Sequence, residues 1–170
     1  RPIAFPDNDR PGIMLASAAR SYLHRYGVAP GKRVTLFTNN EDARRTARDL
    51  IAAGVQVAAI IDSRPHASAI EDCPVYTGAM VCDTRGRLGL RQITLRHAKG
   101  EAVVETDCLL VSGGWNPTLH LTSHMNARPV WGDRIAAFVP QSGAVPGLEA
   151  AGAAAGAMST AACLRSGVAV

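Results

Sequence analysis

Two short apolar runs bracketing one helical pattern constrain this chain more than any other feature. RVTLF, residues 33–37, and VQVAAII, residues 55–61, are close to continuously hydrophobic. Such runs suit strands buried on both faces of a parallel sheet. Between them Ala43, Ala47, Leu50 and Ile51 recur at helical spacing, the stripe a helix lays against a sheet. Asn40 is a good N-cap, and Glu41 and Asp42 suit the positive end of a helix. The helix is expected to run to about Ala53, with Gly54 closing it. Arg44, Arg45 and Arg48 then fall on a solvated face. A strand, helix and strand in about 30 residues make a βαβ unit with a right-handed crossover.

The flanks read differently. RPIAFPDNDRPG, residues 1–12, holds three prolines and a glycine and is expected to be extended. IMLASAARSYLHRYG carries Met14, Leu15, Ala18, Ala19, Tyr22 and Leu23 at helical spacing, with Gly27 as its stop. Beyond the βαβ unit, PVYTGAMVCDT, LGLRQITLRH and EAVVETDCLLVSG are strand-like runs separated by turns at Arg85-Gly86 and Lys99-Gly100. They predict an antiparallel meander and then a buried strand over residues 108–111. The segment from Gly113-Gly114 through Pro117 and Pro129 is irregular. A helix is expected from about Ala153 to Leu164, with Gly167 past its end.

Composition removes several function classes. No apolar run reaches the roughly 20 residues of a membrane span, and no signal-peptide pattern opens the chain, so a cytoplasmic location is expected. Residue 1 is Arg1, not Met, so the chain reads as a fragment or a processed product. The net charge of +4 comes almost wholly from scattered arginines, and aromatics are 5% of residues. A nucleic-acid surface needs a basic stripe or stacking aromatics, so none is expected. An acidic partner subunit suits this charge better. Cys73, Cys82, Cys108 and Cys163 form no CxxC pair and read as small buried hydrophobes. His120 and His124 are four apart, but Pro117 and the polar sequence around them argue for a loop, and no metal site is expected. Ser112, in VSGGW, lacks the nucleophile-elbow pattern. No catalytic residue can be named.

A strand–turn–helix of this kind is the frame that binds dinucleotides. That chemistry needs glycines in the turn so that backbone N–H groups can reach the pyrophosphate at the helix N-terminus. Here the turn is FTNNEDA, residues 37–43, without glycine and with Glu41 and Asp42 where phosphates would sit. Asp62, at the position of a ribose-binding acid, then reads as a strand-end residue. The expected fold class is α/β: a three-layer, Rossmann-like nucleotide-binding βαβ unit with an antiparallel β-meander, plus part of a second FAD/NAD-type lobe.

In arrangement, the chain resembles the pyridine nucleotide-disulfide reductases, in which a nicotinamide-binding lobe is inserted into a flavin-binding lobe. Residues 31–105 look like the inserted lobe with a degenerate phosphate loop. Residues 1–30 look like a lead-in and helix of the larger lobe, and 106–170 like the return to it, ending in an Ala/Gly-rich helix. DCLLVSGGWNP, residues 107–117, is similar to the return strand and its glycine-plus-proline signature. GLEAAGAAAG, residues 147–156, is similar to the second flavin-lobe motif. In that motif an acid after the glycine holds the flavin's ribityl chain, whereas here Ala153 follows Gly152.

RPIAFPDNDRPGIMLASAARSYLHRYGVAPGKR, the FTNNEDA turn, SGGWNP and GAAAG, in this order, resemble the α subunits of heterotetrameric sarcosine oxidases. Opine oxidase and hydrogen cyanide synthase subunits share the architecture. The resemblance implies NAD in the larger lobe, with its glycine-rich loop upstream of this segment. It implies FAD in a β subunit where sarcosine is oxidised, FMN at the α–β interface, and tetrahydrofolate in a C-terminal domain of the α subunit. It places Gly113, Gly114 and Trp115 on one side of a partial NAD site, and Gly152 and Ala153 on the other. The expected partners are the other subunits, chiefly the flavin-binding β subunit. A lobe lacking its first half is expected to make the isolated chain self-associate.

Overall fold

The computed structural model describes residues 1–67 and 73–169. It divides into two units, Arg1–Gly114 and Trp115–Val170. The first unit is built on a five-stranded parallel sheet of β1 (Ile13–Leu15), β2 (Arg33–Thr38), β3 (Gln56–Asp62), β4 (Val75–Thr77) and β8 (Cys108–Ser112), in the order β1-β8-β2-β3-β4. The helices α1 (Ala16–Tyr26) and α2 (Asp42–Ala52) cover one face. Ala16, Ala19, Ala43, Ala47 and Leu50 meet Val34, Leu36, Ile60 and Leu110 there. An antiparallel meander of β5 (Met80–Arg85), β6 (Gln92–His97) and β7 (Gly100–Glu105) covers the other. On that side Phe37, Ile61, Leu109 and Val111 meet Val81, Ile93, Leu95 and Val104.

This gives three layers: helices, parallel sheet and meander. Side chains alternate across a strand, so Leu36 serves the helical layer and Phe37 the meander. That is why the run is buried on both faces from Val34 to Phe37, with Thr35 its one polar member.

Several expected boundaries move. Residues 13–15 are a strand, not the first turn of a helix, because β8 offers them a parallel partner from Leu109 to Val111. Gly27, at φ 64°, closes α1 as expected. The run PVYTGAMVCDT is not one strand. Gly78, at φ 58°, breaks it, leaving β4 in the parallel sheet and β5 in the meander. β1 and α1 on one side, and β8 on the other, share a sheet and a core with β2 and β3. β8 pairs directly with both β1 and β2, so the first unit extends to Gly114.

The second unit holds α3 (His120–His124), a hairpin of β9 (Val130–Gly132) and β10 (Ala137–Val139), and α4 (Thr160–Val168). The helix expected over 153–164 is replaced by a 3-10 turn at Gly152–Ala155 and the later α4. Gly156 at φ 90° ends the first, and the Ser159 side chain caps the second by accepting from the Ala162 N–H at 3.2 Å. Gly167 lies inside α4, not beyond it.

Among the described residues all four cysteines are free. Cys73 and Cys108 are buried as expected, while Cys82 and Cys163 are half-buried. Burial, with a smaller contribution from Asp107, pushes the Cys108 thiol up to about 12, so it stays protonated and unreactive at neutral pH. No helix among the described residues is long and apolar enough to cross a membrane.

Candidate functional site at the carboxyl edge of the parallel sheet

In open parallel sheets, ligands bind outside the carboxyl ends of the strands. Here Thr38, Asp62 and Ser112 end β2, β3 and β8 side by side in register. The turn after β2 is tied to the end of β8. Asn40 Nδ2 donates to the Ser112 carbonyl at 2.8 Å, and Ser112 Oγ donates to Asn40 Oδ1 at 3.2 Å. Thr38 Oγ1 lies 3.0 Å and 3.1 Å from the Asn40 and Ser112 carbonyls. Asn40 does not occupy the cap position itself. Glu41 does, while Asn40 Oδ1 accepts from the Asp42 N–H at 3.0 Å, a local turn typical of asparagine.

Beside this turn four charges meet among the described residues. Asp62 is wholly buried. Its Oδ2 accepts from Arg44 Nη1 at 3.0 Å and from Arg64 Nη2 at 2.7 Å. Its Oδ1 accepts from the Arg64 Nε and backbone N–H, both at 3.0 Å. Glu41 bridges the same two arginines from the solvent side, at 2.6 Å to Arg64 Nη2 and 3.5 Å to Arg44 Nη1. Burial alone would push the Asp62 carboxyl up. Hydrogen bonds from Arg64 and Arg44 outweigh it and hold the group below the usual carboxylate range. The bond to Asp62, followed by that to Glu41, keeps Arg64 firmly protonated against its own burial.

A dinucleotide does not fit this turn. No glycine lets the backbone close on a pyrophosphate, Glu41 and Asp42 stand against it, and the Asp62 carboxylate is already fully bonded. Sequence reasoning placed Asp62 at the strand end but missed its partners. Arg44, expected on a solvated face with Arg45 and Arg48, has a side chain only 4% exposed. The available signal was its position immediately after Ala43, at the border of the buried stripe.

The five residues placed by resemblance are divided between the units. Gly113 and Gly114 end the first. The Gly113 N–H donates to the Arg1 carbonyl at 2.8 Å, and a Cβ there would stand 2.5 Å from that oxygen. Close passage of residues 1 and 2 therefore requires glycine by itself. Gly114 takes φ 85° and lies near Asn40. Trp115, Gly152 and Ala153 belong to the second unit. Trp115 and Ala153 are exposed, and the Gly152 N–H donates to Ser166 Oγ at 3.0 Å. His120 and His124 bound the short α3 instead of lying in a loop. Among the described residues no group of three or more potential ligands is arranged for a metal.

A second charge cluster ties α1 to α2. Asp49 Oδ2 accepts from Arg20 Nε at 2.7 Å and lies 3.0 Å from His24 Nε2. Burial opposes its ionisation, but the bonds to His24 and Arg20 prevail and lower its pKa. Both Asp49 and Asp62 therefore favour the fold while ionised. That contribution is complete above the carboxylate pKa of the unfolded chain, about 3.9, and is lost as pH falls through the lowered folded values. Urea midpoints of this chain should hold steady from neutral pH to about 5 and then fall. Asp49→Asn should flatten that acid limb, and an unchanged slope would contradict the assignment.

No family model matches the chain. Curated relatives do. It is 43% identical over 99% of its length to sarcosine oxidase subunit alpha of Rhizobium meliloti (strain 1021), of which it covers 17%. It is 41% identical over 100% of its length to the subunit of the same name from Corynebacterium sp. (strain P-1), of which it covers 19%. The chain thus spans under a fifth of the length of these relatives. Among solved structures it resembles L-proline dehydrogenase from P. horikoshii, with a TM-score of 0.65 at 17% identity, over 89% of this chain and 27% of that one. Thioredoxin reductase from Streptococcus pyogenes MGAS5005 matches 98% of this chain and 58% of its own, at TM-score 0.56 and 10% identity. These likenesses establish the fold, which the chain shares with these two proteins.

Proposed function

We propose, from homology over the full length of the chain to one segment of the sarcosine oxidase α subunits, that it is a supporting segment of a multisubunit oxidoreductase. On this reading sarcosine is oxidatively demethylated at flavin in a partner β subunit, and this segment carries none of that chemistry. It supports NAD binding and assembly in the cytoplasm. Gly113 and Gly114 in the first unit, and Trp115, Gly152 and Ala153 in the second, contribute to NAD binding, with the glycine-rich loop supplied by another part of the subunit. FAD, FMN and tetrahydrofolate are held elsewhere in the complex.

The observation that carries the reading is the closed charge set at the sheet edge. Asp62, Arg44, Arg64 and Glu41 satisfy one another where a dinucleotide would need free groups. The second unit leaves Trp131, Phe138 and Leu164 more than half exposed, which supports their being covered by further protein. In isolation such a surface favours self-association.

Calorimetric titration of NAD into this chain tests the reading. No saturable binding is expected into the millimolar range. Micromolar affinity, worth about −8 kcal/mol, would mean that the segment holds the site on its own and would overturn the proposal.

A further inference from the structure

We propose that Glu41 is a resident anion: its carboxylate fills an anion site made by Arg44 and Arg64 at the start of α2 and keeps phosphoryl groups out. The inference deepens, and rests on, the reading of this lobe as one that grips no dinucleotide.

The two carboxylates that hold the arginines are not equivalent. Asp62 is wholly buried and fixed by four hydrogen bonds. It lies beneath the guanidinium groups and cannot leave. Glu41 approaches from outside and its side chain is 60% exposed. An ion pair that open to water contributes at most about 1 kcal/mol, so this carboxylate is the replaceable one. Among the described residues two guanidiniums meet two carboxylates here. Loss of Glu41 removes one negative charge from the helix end, which already carries partial positive charge. Arg64 would then present a free edge to solvent, with Nη2 released from its 2.6 Å contact. Arginine forks bind phosphoryl oxygens well. In the native chain a phosphoryl group must displace Glu41 and then lie beside the same negative charge. The turn is therefore closed by an occupant as well as by its lack of glycine.

The probe is inorganic pyrophosphate, followed by calorimetry and thermal shift at low salt. Native chain should show no saturable binding in the millimolar range. Glu41→Gln, nearly equal in shape and at the surface, should bind at least tenfold more tightly than the native chain. The gain should vanish in Glu41→Gln/Arg64→Met and weaken with added salt. Glu41→Ser, which puts a residue type favoured at helix N-caps at the N-cap position, should show the same gain and serves if Glu41→Gln lowers the melting temperature by itself. If neither Glu41 variant binds while both remain folded, the resident-anion proposal is wrong and the reading of the lobe stands. If native chain and variants bind equally well, the lobe accepts phosphoryl groups and both fail.

Discussion

Replacing Asp62 with alanine should cost the first unit about 3–5 kcal/mol. Removal of one partner from a buried pair leaves the other charged with an acceptor lost, and the Arg44 guanidinium is nearly as buried as Asp62. Glu41, at 3.5 Å, is too distant and too exposed to compensate. The Arg64 backbone N–H loses its acceptor as well. Urea denaturation should show the midpoint falling sharply. A loss below about 0.5 kcal/mol, the range of an ordinary surface substitution, would mean that the charge set is ornamental. Replacing Arg44 and Asp62 together by leucines should recover much of the loss, since apolar groups of similar volume often match a buried pair. The contrast separates the cost of breaking the pair from the value of the pair itself.

Phe37→Ala should destabilise by a comparable amount, about 3–5 kcal/mol. Phe37 is wholly buried in the central strand, on the side the meander covers. Its ring meets Phe5 edge-on at 5.7 Å between centroids, so the cavity would open beneath the extended lead-in as well as the meander. Limited proteolysis should then cut sooner within residues 1–12. Val103→Ala is the matching control. Val103 is 60% exposed on β7, and its loss should stay within about 0.5 kcal/mol. Equal effects from the two substitutions would mean that the meander does not share a core with the sheet.

The frame was legible where neighbours along the chain set the pattern. β2, α2, β3, β8 and the three meander strands follow from apolar periodicity, and the helix stops from Gly27 and Gly54, both of which adopt the left-handed conformation glycine allows. Elements were misread where length was too short for a period to develop. Three residues of β1 fit a helix or a strand equally, and only a parallel partner decides between them. The Ala/Gly-rich stretch after residue 150 has helical composition, yet Gly156 and Ser159 divide it into two elements.

What the residues determined alone was a nucleotide-fold framework whose turn lacks the glycines a pyrophosphate requires. That is a local property, set by backbone freedom at a few consecutive positions. What only the tertiary structure decided was the use of the vacated edge. Asp62 lies 18 residues from Arg44, and Glu41 lies 23 from Arg64. Nothing in the intervening sequence specifies those pairings. They form because parallel pairing of β2 with β3 brings the start of α2 and the end of β3 to one edge, where a buried carboxylate must find its counter-charges.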